Sequence, residues 1–125
     1  NMRVMIIDKD FDHFDSVKEI LTKRKDFDLT QVPAYQNVTE VAEDFHPELI
    51  IMDVDQYRHL GLLIENYLSH NIPVIFSADC KPTQIGKLSK LNKPFGYILK
   101  PVKERELLMM MDIVINDIER KKVIN

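Results

Sequence analysis

The stretch Glu48-Leu49-Ile50-Ile51-Met52-Asp53 decides the fold. Four apolar residues run without alternation and stop on a carboxylate. A short, continuous apolar run is what a strand covered on both faces of a parallel sheet requires. Asp53 then sits at the carboxyl end of that strand. In open α/β sheets this edge is where ligands bind and chemistry occurs, because the crevice at the reversal of strand order opens there.

Three further stretches follow the same rule. Arg3-Val4-Met5-Ile6-Ile7-Asp8 is an apolar strand ending on an acid. Pro73-Val74-Ile75-Phe76-Ser77 ends on a hydroxyl. Gly96-Tyr97-Ile98-Leu99-Lys100-Pro101 ends on a lysine before a proline. Residues 29–32, closed by Pro33, supply a fifth strand. Between the strands lie helical patterns. Phe14, Val17, Ile20 and Leu21 recur at helical spacing and predict a helix over 14–23. Residues 38–45 predict a second, with Asn37 or Thr39 as its N-cap and His46-Pro47 as its stop. Residues 60–68 predict a third. Residues 82–91 predict a fourth, with Pro82 suited to the first turn. Residues 104–122 predict a fifth, with Leu107, Leu108, Met111, Val114, Ile115 and Ile118 as the apolar stripe. Its Glu104 and Glu106 lie near the start and Arg120 to Lys122 near the end, as the helix dipole favours.

Strands alternating with helices imply a parallel sheet with right-handed crossovers and helices on both faces. The expected fold is flavodoxin-like and doubly wound, with strand order 2-1-3-4-5. Asp8, Asp53, Ser77 and Lys100 then converge on one edge.

The 125 residues are enough for one domain, 1–125, and not for two cores. The chain stops just after the fifth helix, so no attached output domain is expected. With 45% hydrophobic and 30% charged residues the composition is that of a globular protein. A formal net charge of -3 gives no electrostatic reason for nucleic acid or an anionic membrane surface. Cys80 is the only cysteine, which excludes an intrachain disulfide, and it reads as a loop residue. No apolar run is long enough to span a bilayer or form a signal peptide, so the expected compartment is the cytoplasm.

Two carboxylates side by side repel unless a cation lies between them. Hard oxygen donors suit Mg2+, which keeps its waters and takes few protein carboxylates. A carboxylate is also a nucleophile toward phosphorus. Phosphoryl transfer asks mainly for positioning and for cations on the equatorial oxygens. Lys100 can supply one cation and Ser77 a hydrogen-bond donor.

On these residues the chain resembles, over essentially its full length, the receiver domains of two-component response regulators. Asp8 matches a first-strand acid of that family. Asp53 in Ile-Ile-Met-Asp matches the phospho-accepting aspartate, and Ser77-Ala78 the hydroxyl–alanine pair. Lys100-Pro101 matches the lysine–proline whose peptide bond is usually cis, and Gly61-Leu62 the pair that opens the third helix. Tyr97 matches the aromatic that turns inward on phosphorylation. The resemblance implies a phosphoryl switch without independent enzymatic activity, phosphorylated by a histidine kinase or phosphotransfer protein. It implies Mg2+ held by Asp8, Asp53 and the Asp55 backbone. It also implies an output protein, or a second copy, bound through the face formed by the fourth helix, fifth strand and last helix.

Two departures qualify this. The family has two adjacent acids after its first strand, where this chain has Asp8-Lys9. A lysine turned inward would oppose the metal by roughly 4 kcal/mol, for unit charges at ~4 Å in a medium of effective dielectric ~20. Turned outward it would be solvated, and Asp10, two residues on, is the candidate second acid. The loop after Asp53 lacks the family's proline and is expected to be less rigid. Asp55 and Asp79 fall where the family tunes loss of the phosphoryl group. The alternative reading is a degenerate receiver that binds partners irrespective of phosphorylation. A flavin-binding relative is disfavoured, because the first loop lacks the small and hydroxyl residues that cradle a phosphate. No serine or cysteine has a neighbouring base in sequence that would suggest a hydrolase.

Overall fold

The central sheet follows from where the apolar runs fall. In the computed structural model, which describes residues 1–24, 26–79, 86 and 96–124, five strands pair in parallel. They are β1 (Met2–Ile7), β2 (Phe27–Val32), β3 (Leu49–Asp53), β4 (Val74–Ala78) and β5 (Gly96–Leu99), in the order β2-β1-β3-β4-β5. This is the expected order. The reversal lies between β1 and β3, the two strands that lead into Asp8 and Asp53.

The helices are α1 (Phe11–Thr22), α2 (Val38–Phe45), α3 (Tyr57–Ser69) and, last among the described residues, α4 (Glu104–Ile124). The helix expected over 82–91, Phe95 and Cys80 lie outside the described residues. The sheet divides the core into two layers. Met5, Ile7, Ile50, Met52, Val74 and Phe76 point toward α2 and α3, where Val38, Ala42, Leu60 and Ile64 meet them. Val4, Ile6, Leu49, Ile51 and Ile75 point the other way, against Val17, Ile20 and Leu21 of α1 and Leu107, Met111 and Val114 of α4. β3 and β4 are therefore buried on both faces, which explains why their sequences do not alternate. β5 does alternate: Gly96 and Ile98 are buried, while Tyr97 and Leu99 face out.

Two helices begin earlier than the spacing predicts. α1 starts at Phe11 rather than 14, because the Asp10 side chain caps it by accepting the His13 N–H at 3.0 Å. α3 starts at Tyr57 rather than 60, after a 3-10 turn over Val54–Gln56. The expected loose loop after Asp53 is thus helical. Without a proline every N–H there can join the helix, and the Asp53 side chain caps the turn by accepting the Asp55 N–H at 3.1 Å. Asn37 occupies the N-cap position of α2 but makes no side-chain cap. His46 ends α2 in the left-handed conformation (φ 53) just before Pro47.

Candidate functional site

Strand register assembles the edge. Ile7 pairs with Met52, which brings the next residues, Asp8 and Asp53, side by side. Asp53 pairs with Ser77. Ala78 pairs with Leu99, and its carbonyl accepts the Lys100 N–H at 2.8 Å. Lys100 is joined to Pro101 by a cis peptide bond, as the resemblance implied.

Asp8 is only 1% exposed. Its Oδ1 accepts the Asp10 N–H at 2.9 Å, and its backbone carbonyl accepts from the Gln31 side chain at 3.1 Å. The Lys100 ammonium lies 2.9 Å from Asp8 Oδ2 and 3.5 Å from Asp53 Oδ2. One cation thus bridges two carboxylates, with the lysine side chain 9% exposed and that of Asp53 16%. The contact to Asp8 is the closer of the two ion pairs. Burial pushes the Asp53 carboxyl above its ordinary value, and the Asp8 charge adds to this. The Asp55 N–H and Lys100 oppose the shift without cancelling it. For Lys100 burial works downward, but the Asp8 and Asp53 carboxylates outweigh it and raise the ammonium.

Ser77 is fully buried, and its Oγ has no hydrogen-bond partner among the described residues. A buried hydroxyl without a partner costs free energy unless something supplies one, and this one is next in register to Asp53. Tyr97 is 56% exposed on the outer face of β5.

The remaining expected residues are placed differently. Lys9 is exposed, so its charge faces solvent rather than the carboxylates. Asp10 is also exposed, and its carboxylate is engaged at the N-terminus of α1. The His13 N–H holds that carboxyl below its ordinary value. One Asp10 oxygen is thus engaged by the cap, and the nearby Lys100 ammonium also lowers the Asp10 carboxyl. Asp55 contributes its N–H to Asp53. Among the described residues no three His, Cys, Asp or Glu side chains gather closely enough to hold a metal ion by themselves. The donors at the edge are two carboxylates, Asp8 and Asp53, side by side at the strand ends. That set fits a hydrated Mg2+, which is commonly held by one or two carboxylates plus phosphate oxygens.

His13 is a site residue that the spacing argument missed. Its side chain is 3% exposed, and Nε2 lies 3.8 Å from Asp8 Oδ2 with no hydrogen-bond partner among the described residues. Burial lowers its pKa, against the pull of Asp8. The signal was present, since 13, 17, 20 and 21 fall on one helical face once α1 begins at Phe11. A cleft of about 290 Å³ beside it is lined by Asp10, His13, Asp79 and Lys100, among others.

No protein-family model matches this sequence, and no curated relative is found. Solved structures do match. A response regulator from Desulfuromonas acetoxidans is 22% identical with a TM-score of 0.73, over 93% of this chain and 98% of that one. The signal receiver domain of a two-component histidine kinase from Clostridium thermocellum is 24% identical, with a TM-score of 0.74 over 91% and 97% of the two chains. The signal receiver domain of a signal transduction histidine kinase from Syntrophus aciditrophicus is 20% identical, with a TM-score of 0.75 over 93% and 92%. Sequence identity this low speaks to architecture, and on that evidence the chain has the receiver-domain fold found in two-component response regulators and histidine kinases.

Proposed function

We propose that the chain is a phospho-acceptor switch whose acceptor is Asp53. The observation that carries this is the bridging ammonium: Lys100 Nζ sits 2.9 Å from Asp8 and 3.5 Å from Asp53, with the unpartnered Ser77 hydroxyl next in register.

The chemistry needs little else. An Asp53 oxygen attacks the phosphorus of a phosphohistidine on a kinase or phosphotransfer protein. The P–N bond breaks as the P–O bond forms, and the leaving imidazole takes up a proton. Burial that raises the Asp53 carboxyl marks a carboxylate poorly solvated in the ground state. Lys100 can follow the charge from carboxylate to phosphoryl oxygen, and Ser77 can donate to another oxygen. Asp8 and Asp53 would hold Mg2+, which when bound neutralises charge on the phosphoryl oxygens. Movement of Ser77 would open space for Tyr97 to turn inward and alter the face that β5 and α4 present to an output protein or a second copy. Incubation with acetyl phosphate and Mg2+ should add one phosphate to the wild type by intact mass and none to Asp53→Asn. A folded wild type that takes up none would argue against the reading.

A second reading has one observation in its favour. Lys9 stands where the family has an acid, and one oxygen of the candidate substitute, Asp10, is taken up by the α1 cap. A degenerate receiver would bind its partner with equal affinity as wild type and as Asp53→Asn.

No helix among the described residues is long and apolar enough to cross a membrane.

A further inference from the structure

The side of the sheet covered by α2 and α3 has an opening that the acceptor edge does not use. α2 is short, with eight residues against thirteen in α3. It carries the small Ala42 on its buried side and stops at His46. A cleft of about 530 Å³ lies between the two helices. Clefts that receive ligands occupy about 300–1,000 Å³. Ala42 and Pro47 are buried at its floor, and the half-buried Leu63, Tyr67 and Ile72 form apolar walls. On α3, Leu62 stands one turn before the lining residue Asn66 and is 87% exposed.

Charge at the mouth of this cleft is one-sided. Glu40, Glu43 and Asp44 are exposed on α2, a helix without lysine or arginine. Among the described residues none of the three joins an ion pair. Their placement works against the helix itself. Glu40 faces Glu43 and Asp44 at three and four residues' spacing, where like charges destabilise. Glu43 and Asp44 also fall in the last turn, where the dipole disfavours acids. Arg3 lines the cleft but does not neutralise them. Its Nε donates to the His46 carbonyl at 2.7 Å, and its Nη1 lies 3.4 Å from Glu48. An apolar groove bordered by unpaired carboxylates calls for an apolar ligand that brings cations.

We infer that this cleft is a docking groove for a cationic amphipathic helix of a partner protein. Its apolar side chains fill the space between α2 and α3, and its lysines or arginines pair with Glu40, Glu43 and Asp44. A helix suits a groove between two helices, because its ridges fit there and its anchors recur at i, i+3 or i+4 and i+7. The inference goes beyond the phospho-acceptor reading and does not rest on it: Asp8, Asp53, Ser77 and Lys100 are absent from the lining.

The test uses the 15N-labelled whole chain, unphosphorylated, and three short helical peptides. The first has leucines at i, i+3 and i+7 and lysines elsewhere. The second has glutamate for each lysine, and the third serine for each leucine. The leucine–lysine peptide should shift amides in 39–46 and 63–72 saturably, and less strongly as salt is raised. The other two should bind at least about tenfold more weakly. Glu40→Lys with Glu43→Lys changes two exposed side chains, so the chain should stay folded. It should weaken the lysine peptide at least about tenfold and strengthen the glutamate one. Ala42→Met, which fills the floor, should weaken both. No saturable shift with the leucine–lysine peptide at millimolar concentration, or shifts centred away from α2 and α3, would overturn the proposal. So would equal binding of the three peptides, or an affinity indifferent to the charge reversal. Because the unphosphorylated chain is measured, failure to phosphorylate Asp53 leaves this result untouched.

Discussion

Replacing Lys100 by methionine takes the one bridging cation from between two carboxylates, one of them 1% exposed. Breaking a buried ion pair costs about 3–5 kcal/mol when nothing takes the lost partner's place. Lys100→Met should lose stability in that range, as read from urea midpoints, and adding Asp8→Asn should recover part of it. Asp53 behaves in the opposite sense. Its carboxyl is raised by burial, so folding favours the protonated form. Its contribution to stability is present below the unfolded value, about 4, and is lost as pH rises through the folded value. At neutral pH the Asp53 carboxylate is therefore a strain on the fold, and Asp53→Asn should unfold at a higher urea concentration than wild type. The gain should shrink as pH falls through the folded value and be gone below the unfolded value, about 4. A gain independent of pH would contradict the electrostatic cause. The four residues that sequence brought to this edge, Asp8, Asp53, Ser77 and Lys100, were legible because each is the first polar residue after an apolar strand. His13 was not, because its visibility depends on where α1 begins.

At the scale of elements, that starting point is set by one side chain. Asp10 is lowered by the His13 N–H it accepts, so the cap is present above the unfolded carboxyl value and lost as pH falls through the folded one. Asp10→Ala should cost about 1 kcal/mol at neutral pH. Thermal melts at pH 7 and in acid should show the difference narrowing in acid. β5 makes another element-level test. A Cβ on Gly96 would collide with the Met110 sulfur of α4. Methionine is flexible, so Gly96→Ala should be tolerated at a cost of about 1 kcal/mol, whereas Gly96→Val should cost more. Strands and helix faces were readable from period alone. The ends were not, because capping depends on where one carboxylate turns: Asp10 and Asp53 each extend helical structure toward the edge by one turn. The replacement of proline after Asp53 reads in sequence as loosening, yet it frees the N–H groups that let α3 begin at Tyr57.

For the molecule as a whole, the alternation of strand and helix specified the sheet order, since parallel pairing with right-handed crossovers leaves few topologies. The charge pattern at the edge was less legible. From sequence, Lys9 was equally a blocking cation and a solvated one, and only the fold turns it outward. The central claim is that this edge carries a phosphoryl group on Asp53, and its most direct test is covalent trapping. Protein incubated with acetyl phosphate and Mg2+ is reduced with borohydride, which converts an aspartyl phosphate to homoserine, and the peptides are mapped by mass. The account predicts homoserine at position 53 and at no other aspartate. A protein that stays folded and unmodified at 53, or is modified elsewhere, would contradict it.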